Sequence, residues 1–499
     1  MIHSSLRRYV SILDNPDAFF TCLSQPLVTT VWANPLKTQA ANLERAFSTL
    51  KWDWSPVKWH AGGYRLNHGQ ERPGRSLPFS CGWYGIQEEI AWSAVKVLDP
   101  QPGDRILDLC AAPGGKTAQL ALAVGPTGVV MANERALPRL SALVNTITRL
   151  GLTNVVTSQV DGRTLQAPPH SFDRVLVDAP CSGEGTLRKK AGRRSLDQEN
   201  WNERHSHRLT AIQKQLLDRA LDLVKPGGVV VYSTCTFAPE ENEAVIDAVV
   251  GDRGIIESFP IPGLRASPGL RQWQGKTFRA DSEAAQRYWP HLNNTGGFFV
   301  ARIRRTEASL HDGATVNHAD RELQGPEARA SQHKGRQAKV RLADDPTALE
   351  WLCDRFGIPP QTFQAYTLWL TGQEKMWIAN QACTALTKAV AVPVETIGIP
   401  LIRRTPHSFK PTTVGLQRFG TVVQQQAIEL NSHQCQQFMH GIAQPVQLSP
   451  ANTQSVLPTK AAQNSPKGFI HVRSGLYELG CGRVKQGMLY PEIPKAHRL

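Results

Sequence analysis

The sequence predicts an α/β protein: a doubly wound, Rossmann-like core, a small α+β domain before it and a β-rich region after it. Three observations carry that prediction. From Pro100 onward, short apolar runs alternate with helical patterns, as in βαβ units that build a parallel sheet. One run, residues 106–109, breaks into Ala-Pro-Gly-Gly and then into a helical stretch opened by Lys116. Acidic and cysteine residues recur just past the C-terminal ends of the runs, where open α/β sheets hold their ligands.

The whole chain narrows the classes. At 499 residues it has room for roughly three domains. Lys and Arg number 56 against 42 Asp and Glu, a net charge of +14, with a pI of about 9.5. That balance favours a polyanionic partner, most simply nucleic acid. The opening M-I-H-S-S-L-R-R-Y-V has no apolar core like that of a signal peptide, and no run approaches the ~18 apolar residues of a membrane span. No membrane association is expected, and the expected location is cytoplasmic. The nine cysteines are scattered without a C-x-x-C pair. Neither a disulfide framework nor a metal site is expected, only free thiols in a reducing compartment.

Taken in order, residues 1–99 read as the α+β domain, rich in tryptophan at Trp32, Trp52, Trp54, Trp59, Trp83 and Trp92. Leu43, Ala46, Phe47 and Leu50 have helical spacing. Residues 82–87 read as a loop or short strand, and residues 88–98 as a helix. Residues 100–305 form the core. Its strands are expected at 106–109, 129–132, 155–159, 174–177 and 229–232. Its helices are expected at 116–124, 138–150 with Gly151 as C-cap, 210–223, and from about 240. Residues 306–346 are polar and read as a linker. Residues 347–499 resume with helical patterns at 348–356 and 375–390 and end in β-like runs at 469–472 and 477–482. Basic residues Arg403, Arg404, Lys410, Lys485, Lys495 and Arg498 suit an RNA-binding module there. Removing everything beyond about Pro346 is then expected to spare cofactor binding and weaken RNA binding.

The glycine turn reads as a nucleotide cradle. Gly114 and Gly115 let the backbone turn and approach a ligand, and the next helix presents unpaired N–H groups. A phosphate loop would need glycine at Cys110, and no dinucleotide G-x-G-x-x-G is present. What remains is an adenosine ligand without a pyrophosphate. Glu134 follows the run 129–132, where a carboxylate accepts both ribose hydroxyls. S-adenosylmethionine fits such a site.

Two cysteines suggest the chemistry. Cys181 sits in D-A-P-C-S-G-E-G-T and Cys235 in Y-S-T-C-T, each ending a predicted strand. Cytosine carbon 5 is a poor nucleophile. A thiolate adding to carbon 6 makes the ring enamine-like, so that carbon 5 attacks a methyl sulfonium. A carboxyl such as Asp178 favours the addition by bonding to ring N3. A second thiol suits the later loss of the carbon 5 proton and release of the enzyme.

Residues 108–117, 178–186 and 232–243 resemble the motifs of the Sun/RsmB/RsmF family of RNA cytosine-5 methyltransferases. Residues 145–155 and 289–301 resemble it too. The tail resembles the RsmF-type members through K-P-T-T at 410–413, G-C-G at 480–482 and I-P-K at 493–495. The resemblance implies Cys235 as nucleophile and Cys181 as the release residue. It implies S-adenosylmethionine along residues 110–116, with Glu134 on the ribose, Asp161 on the adenine, and Asp178 at the methionine end or the target base. It also implies a PUA-like RNA-binding domain at the C-terminus and ribosomal RNA, most simply 16S, as substrate. Transfer RNA is the runner-up. Two departures concern RNA positioning: Trp32 stands where the family usually has Arg, and Glu89-Ile90-Ala91 stand where small serines are common. A DNA cytosine-5 methyltransferase would need a Glu-Asn-Val motif, which is absent. A non-catalytic RNA-binding assembly factor would not need both cysteines, Asp178 and the glycine loop.

Overall fold

Ten strands form the central sheet of the computed structural model, which describes residues 4–190, 203–307, 340–446, 468–495 and 498–499. Arg105–Asp108, Val129–Asn133 and Val155–Ser158 step outward in parallel on one side. Phe172–Asp178 and Val224–Thr234 step outward in parallel on the other. The strand order therefore reverses at Arg105–Asp108. The loops after Asp108 and Asp178 flank the crevice that such a reversal opens. Burial is nearly continuous along these strands, as expected of a sheet covered on both faces. Helix Gly115–Val124 starts at the glycine turn. Helix Leu137–Leu150 ends on Gly151 in the left-handed conformation, φ 75°.

The sheet is mixed, not wholly parallel. Phe298–Arg305 runs antiparallel to Val224–Thr234 and carries Gln286–Tyr288 and Gly254–Glu257. At the opposite edge, Val394–Ile397 pairs antiparallel with Val155–Ser158. That strand comes from the C-terminal region, whose Trp377, Leu386, Val392 and Ile397 share one apolar core with Leu107, Met131 and Val156. Asn380 adds two bonds from its side-chain amide, to the carbonyls of Pro126 and Gly128 at 2.7 and 2.9 Å. The C-terminal region is thus built into the central sheet. A cut at Pro346 would strip the edge, which argues against the expectation that cofactor binding survives it.

Other elements also differ from expectation. Residues 375–390 are not one helix: Lys375–Asn380 is a strand and Gln381–Ala389 the helix, capped by the Asn380 side chain. The strand forms because Tyr366–Thr371 supplies an antiparallel partner, with Trp369 opposite Trp377. Helix Glu203–Leu223 begins earlier than the pattern suggested, and helix Glu243–Val250 begins later. Residues 308–339, most of the segment read as a linker, lie outside the described residues. Val340–Leu342, read as part of it, is a strand on Tyr366–Thr371.

The N-terminal sheet is antiparallel, in the order Asp53–Pro56, Gly63–Asn67, Thr29–Ala33, Tyr84–Ile86. Its core is continuous with the last sheet of the chain, and Trp83 stacks on Tyr477 at 4.2 Å. Helix Pro16–Leu23 instead packs on the catalytic domain, with Phe19 against Phe237 and Trp289. Among the described residues no helix is long and apolar enough to cross a membrane, and no group of three or more His, Cys, Asp or Glu is placed to hold a metal.

Candidate active site

The site starts from the turn after Arg105–Asp108. Gly114 has φ 105°, open to glycine and strained for other residues, and Gly115 begins the helix. A Cβ on Gly114 would meet Leu143 Cδ1 at 2.9 Å, and one on Gly115 would meet Gln87 at 2.8 Å. The turn is therefore a close-packed backbone cradle that side chains would fill. Asp108 closes its floor, accepting from Thr117 Oγ1 at 2.6 Å. It is 1% exposed, and burial pushes its carboxyl up to about 7. Its Oδ1 has no hydrogen-bond partner among the described residues.

A cavity of about 480 Å³ opens beside the cradle. Cys110, Ala111, Ala112, Pro113, Gly115, Lys116, Asp178 and Cys235 all line it. Lys116 Nζ donates to Asp178 Oδ2 at 2.7 Å, and Ser233 Oγ donates to Asp178 Oδ1 at 2.9 Å. Burial works against the Lys116 ammonium, but the charges of Asp178, Cys235 and Asp108 outweigh it and raise its pKa.

The two cysteines meet although they end different strands. Their sulfurs are 3.3 Å apart, and the Cys235 N–H donates to Cys181 Sγ at 3.3 Å. The pair is asymmetric. The hydrogen bond from Cys181 lowers the Cys235 pKa against burial and Asp178, with help from Lys116 and Lys189. That same bond, then burial, raises the Cys181 thiol well above its ordinary value. With Cys181 as the donor, the contact favours ionisation of Cys235, and the thiolate is the reactive form.

Gly114, Glu134, Asp161 and Cys181 lie outside the cavity lining. Glu134 is 6% exposed and accepts from the Ala136 N–H at 2.8 Å, with Arg139 at 3.4 Å. Asp161 is gripped by Arg163 at 2.6 and 2.9 Å, which holds its carboxyl below the usual range. Sequence reasoning assigned no role to Asp108, Glu88, Arg149, Lys189 or Phe298, all of which line the cavity. Asp108 had a signal, an acid ending an otherwise apolar run. Arg149 had none: it is buried over the Phe79 ring at 3.7 Å, a contact between domains. Trp32, the departure from the family pattern, also lines the cavity and is 2% exposed. Its indole sits against Gly85, where a Cβ would come within 2.2 Å.

Residues 95–304 match the family model described as 16S rRNA methyltransferase RsmB/F, and residues 318–398 match a family of unknown function, DUF7122. The chain is 34% identical over 308 residues to the 25S rRNA (cytosine-C(5))-methyltransferase nop2 of Schizosaccharomyces pombe, covering 60% of this chain and 50% of that one. It is 35% identical over 297 residues to the ribosomal RNA small subunit methyltransferase F of Enterobacter sp., covering 58% and 59%. The chain thus spans about half the length of these curated relatives. Among solved structures, a methyltransferase homologue from Pyrococcus horikoshii is 29% identical with a TM-score of 0.52, over 61% of this chain and 96% of that one. Residues 95–304, built around the glycine cradle and the paired cysteines, are thus similar to the RsmB/F family of S-adenosylmethionine-dependent rRNA methyltransferases.

Proposed function

We propose that the protein methylates carbon 5 of a cytosine in ribosomal RNA through a covalent bond between Cys235 and carbon 6. The observation that carries this reading is the contact of Cys181 with Cys235, which lines the same cavity as the cradle and the Lys116–Asp178 pair. S-adenosylmethionine, held along residues 110–116, supplies the electrophilic methyl group. The cradle suits it, because Gly114 and Gly115 pack too tightly against Leu143, Thr146 and Gln87 to carry side chains, and Asp108 Oδ1 has no hydrogen-bond partner among the described residues.

The chain's own residues do the rest. The target base has to leave its stack to reach a site this enclosed. Asp178, anchored by Lys116 and Ser233, bonds to the amidine edge of the ring. Cys235 adds to carbon 6 as thiolate. In the release step Cys181, as thiolate, takes the carbon 5 proton, the carbon 5–carbon 6 double bond re-forms, the carbon 6–sulfur bond breaks and Cys235 departs as thiolate. The basic chain, and the N-terminal and C-terminal sheets that share a core, support RNA binding by a surface wider than the catalytic domain. A PUA-like character of the last sheet and location in the cytoplasm belong to this reading.

Labelled S-adenosylmethionine with ribosomal RNA, assembled subunits, transfer RNA and DNA tests the substrate. Label in ribosomal RNA is expected, mapped to one cytosine by bisulfite sequencing. Label confined to transfer RNA would favour the runner-up, and none in any RNA would leave an assembly factor. Glu134 is assigned the ribose hydroxyls, which would displace the loosely held Arg139, and Asp161 the adenine. Glu134→Ala removes charge-assisted hydrogen bonds worth about 1.5–3 kcal/mol each. Calorimetry should show S-adenosylmethionine affinity lowered by about tenfold or more, and unchanged affinity would remove Glu134 from the site.

A further inference from the structure

The residues that follow the two cysteines are tied together. Thr236 Oγ1 donates to Glu184 Oε2 at 2.9 Å and lies 2.7 Å from Ser182 Oγ. A threonine hydroxyl has one proton, so Ser182 is the donor in the second bond. Tyr9 OH donates to the same Glu184 oxygen at 2.8 Å. Thr236 is 1% exposed and Glu184 4%. None of Ser182, Glu184 and Thr236 lines the cavity.

The position of the link suggests its purpose. The cysteines sit on loops from two different strands, so their contact is only as good as the register of those loops. Hydrogen bonds weaken steeply with poor geometry, and the S–H donor is weak to begin with. Burial pushes the Glu184 carboxyl up to about 7, and its Oε1 has no hydrogen-bond partner among the described residues, so its charge depends on the two donors at Oε2. The carboxyl spans Tyr9 and Thr236 and so fixes the step after Cys235, while Ser182 carries the tie to the step after Cys181. We propose that Thr236 and Glu184 are positioning residues that hold Cys181 against Cys235, so that the Cys181 thiol stabilises the Cys235 thiolate.

This rests on the reading of Cys235 as nucleophile, but the test reads ionisation rather than turnover. Full-length protein is alkylated with iodoacetamide across a pH series, and the Cys235 peptide is followed by mass spectrometry. Thr236→Val keeps the shape and removes the hydroxyl. It should shift the Cys235 profile to higher pH and slow alkylation at pH 7 by about tenfold, a change of about one pKa unit. Thr236→Ser should restore it, and S-adenosylmethionine affinity should not change. In a Cys181→Ala background, Thr236→Val should add nothing. Ser182→Ala cuts the link from the other loop with a smaller change, and should shift the profile the same way if the valine variant does not fold. An unmoved profile in Thr236→Val or, failing that, in Ser182→Ala would overturn the proposal. So would an undiminished effect of Thr236→Val without Cys181. Retained methyl transfer in Cys235→Ala would instead remove the nucleophile reading and leave this result standing.

Discussion

Cys235→Ala is expected to abolish methyl transfer, by a factor on the order of 10⁴ to 10⁶, the scale seen when a covalent nucleophile is removed. It should also abolish any covalent species with RNA. Cys181→Ala should behave differently. Cys235 still adds to carbon 6 and the methyl group can still be transferred, but release is impaired. The enzyme should accumulate on its RNA as a species that survives a denaturing gel. The methylated form of that species requires S-adenosylmethionine, and the double variant should lose it altogether. The geometry supports this assignment, since Cys235 lines the cavity beside Lys116 and Asp178 while Cys181 lies outside its lining. The opposite outcome, a stable adduct in Cys235→Ala and none in Cys181→Ala, would put the nucleophile in the Pro-Cys motif.

A second large effect is expected from truncation after Pro346. Trp377, Leu386, Val392, Val394 and Ile397 are all buried in the core they share with the catalytic sheet. Burial of such a side chain stabilises by roughly 1.5–3 kcal/mol. Losing several of them amounts to about 5–10 kcal/mol, comparable to the whole stability of a typical domain. The cut also leaves Val155–Ser158 as a bare, apolar edge. The fragment 1–346 should therefore be insoluble, or melt far below the full chain and bind S-adenosylmethionine poorly. A soluble fragment with an unchanged melting temperature would show that the edge strand is dispensable. RNA binding by the tail is better probed with charge-reversing changes at Arg403 and Lys485, whose side chains are exposed.

The contrast between the two predictions follows what the sequence makes legible. The cradle could be read because a glycine turn between an apolar run and a helix is local: its residues are neighbours in the chain. The strand ends could be read for the same reason, and they bring Lys116, Asp178 and the cysteines to one crevice. Distant partners could not. Nothing near Val394 announces a strand, since Pro393 reads as a loop and the partner strand is far away in the chain. Lys375–Asn380 looked helical because its neighbours on both sides in space were unknown. Glu134 and Asp161 stood at the expected strand ends, but Arg139 reaches Glu134 from the first turn of helix Leu137–Leu150 and Arg163 folds back on Asp161 from two residues on, side-chain directions that a sequence pattern does not specify. Trp32 read as a departure that bears on RNA positioning, while its packing on Gly85 places it in the wall of the cavity.

The edge strand also bears on how the protein is made. Thr157 and Thr396 share a hydrogen bond at 2.7 Å across 239 positions of chain. At ordinary elongation rates that separation is roughly 10–50 s of synthesis. During that interval the nascent catalytic sheet has its parallel strands but an open flank, a template for pairing with other chains. Chaperone dependence should therefore fall on ribosome-bound chains between those two positions, and a slowed codon run within the tail should lower the yield of active enzyme more than one placed after it.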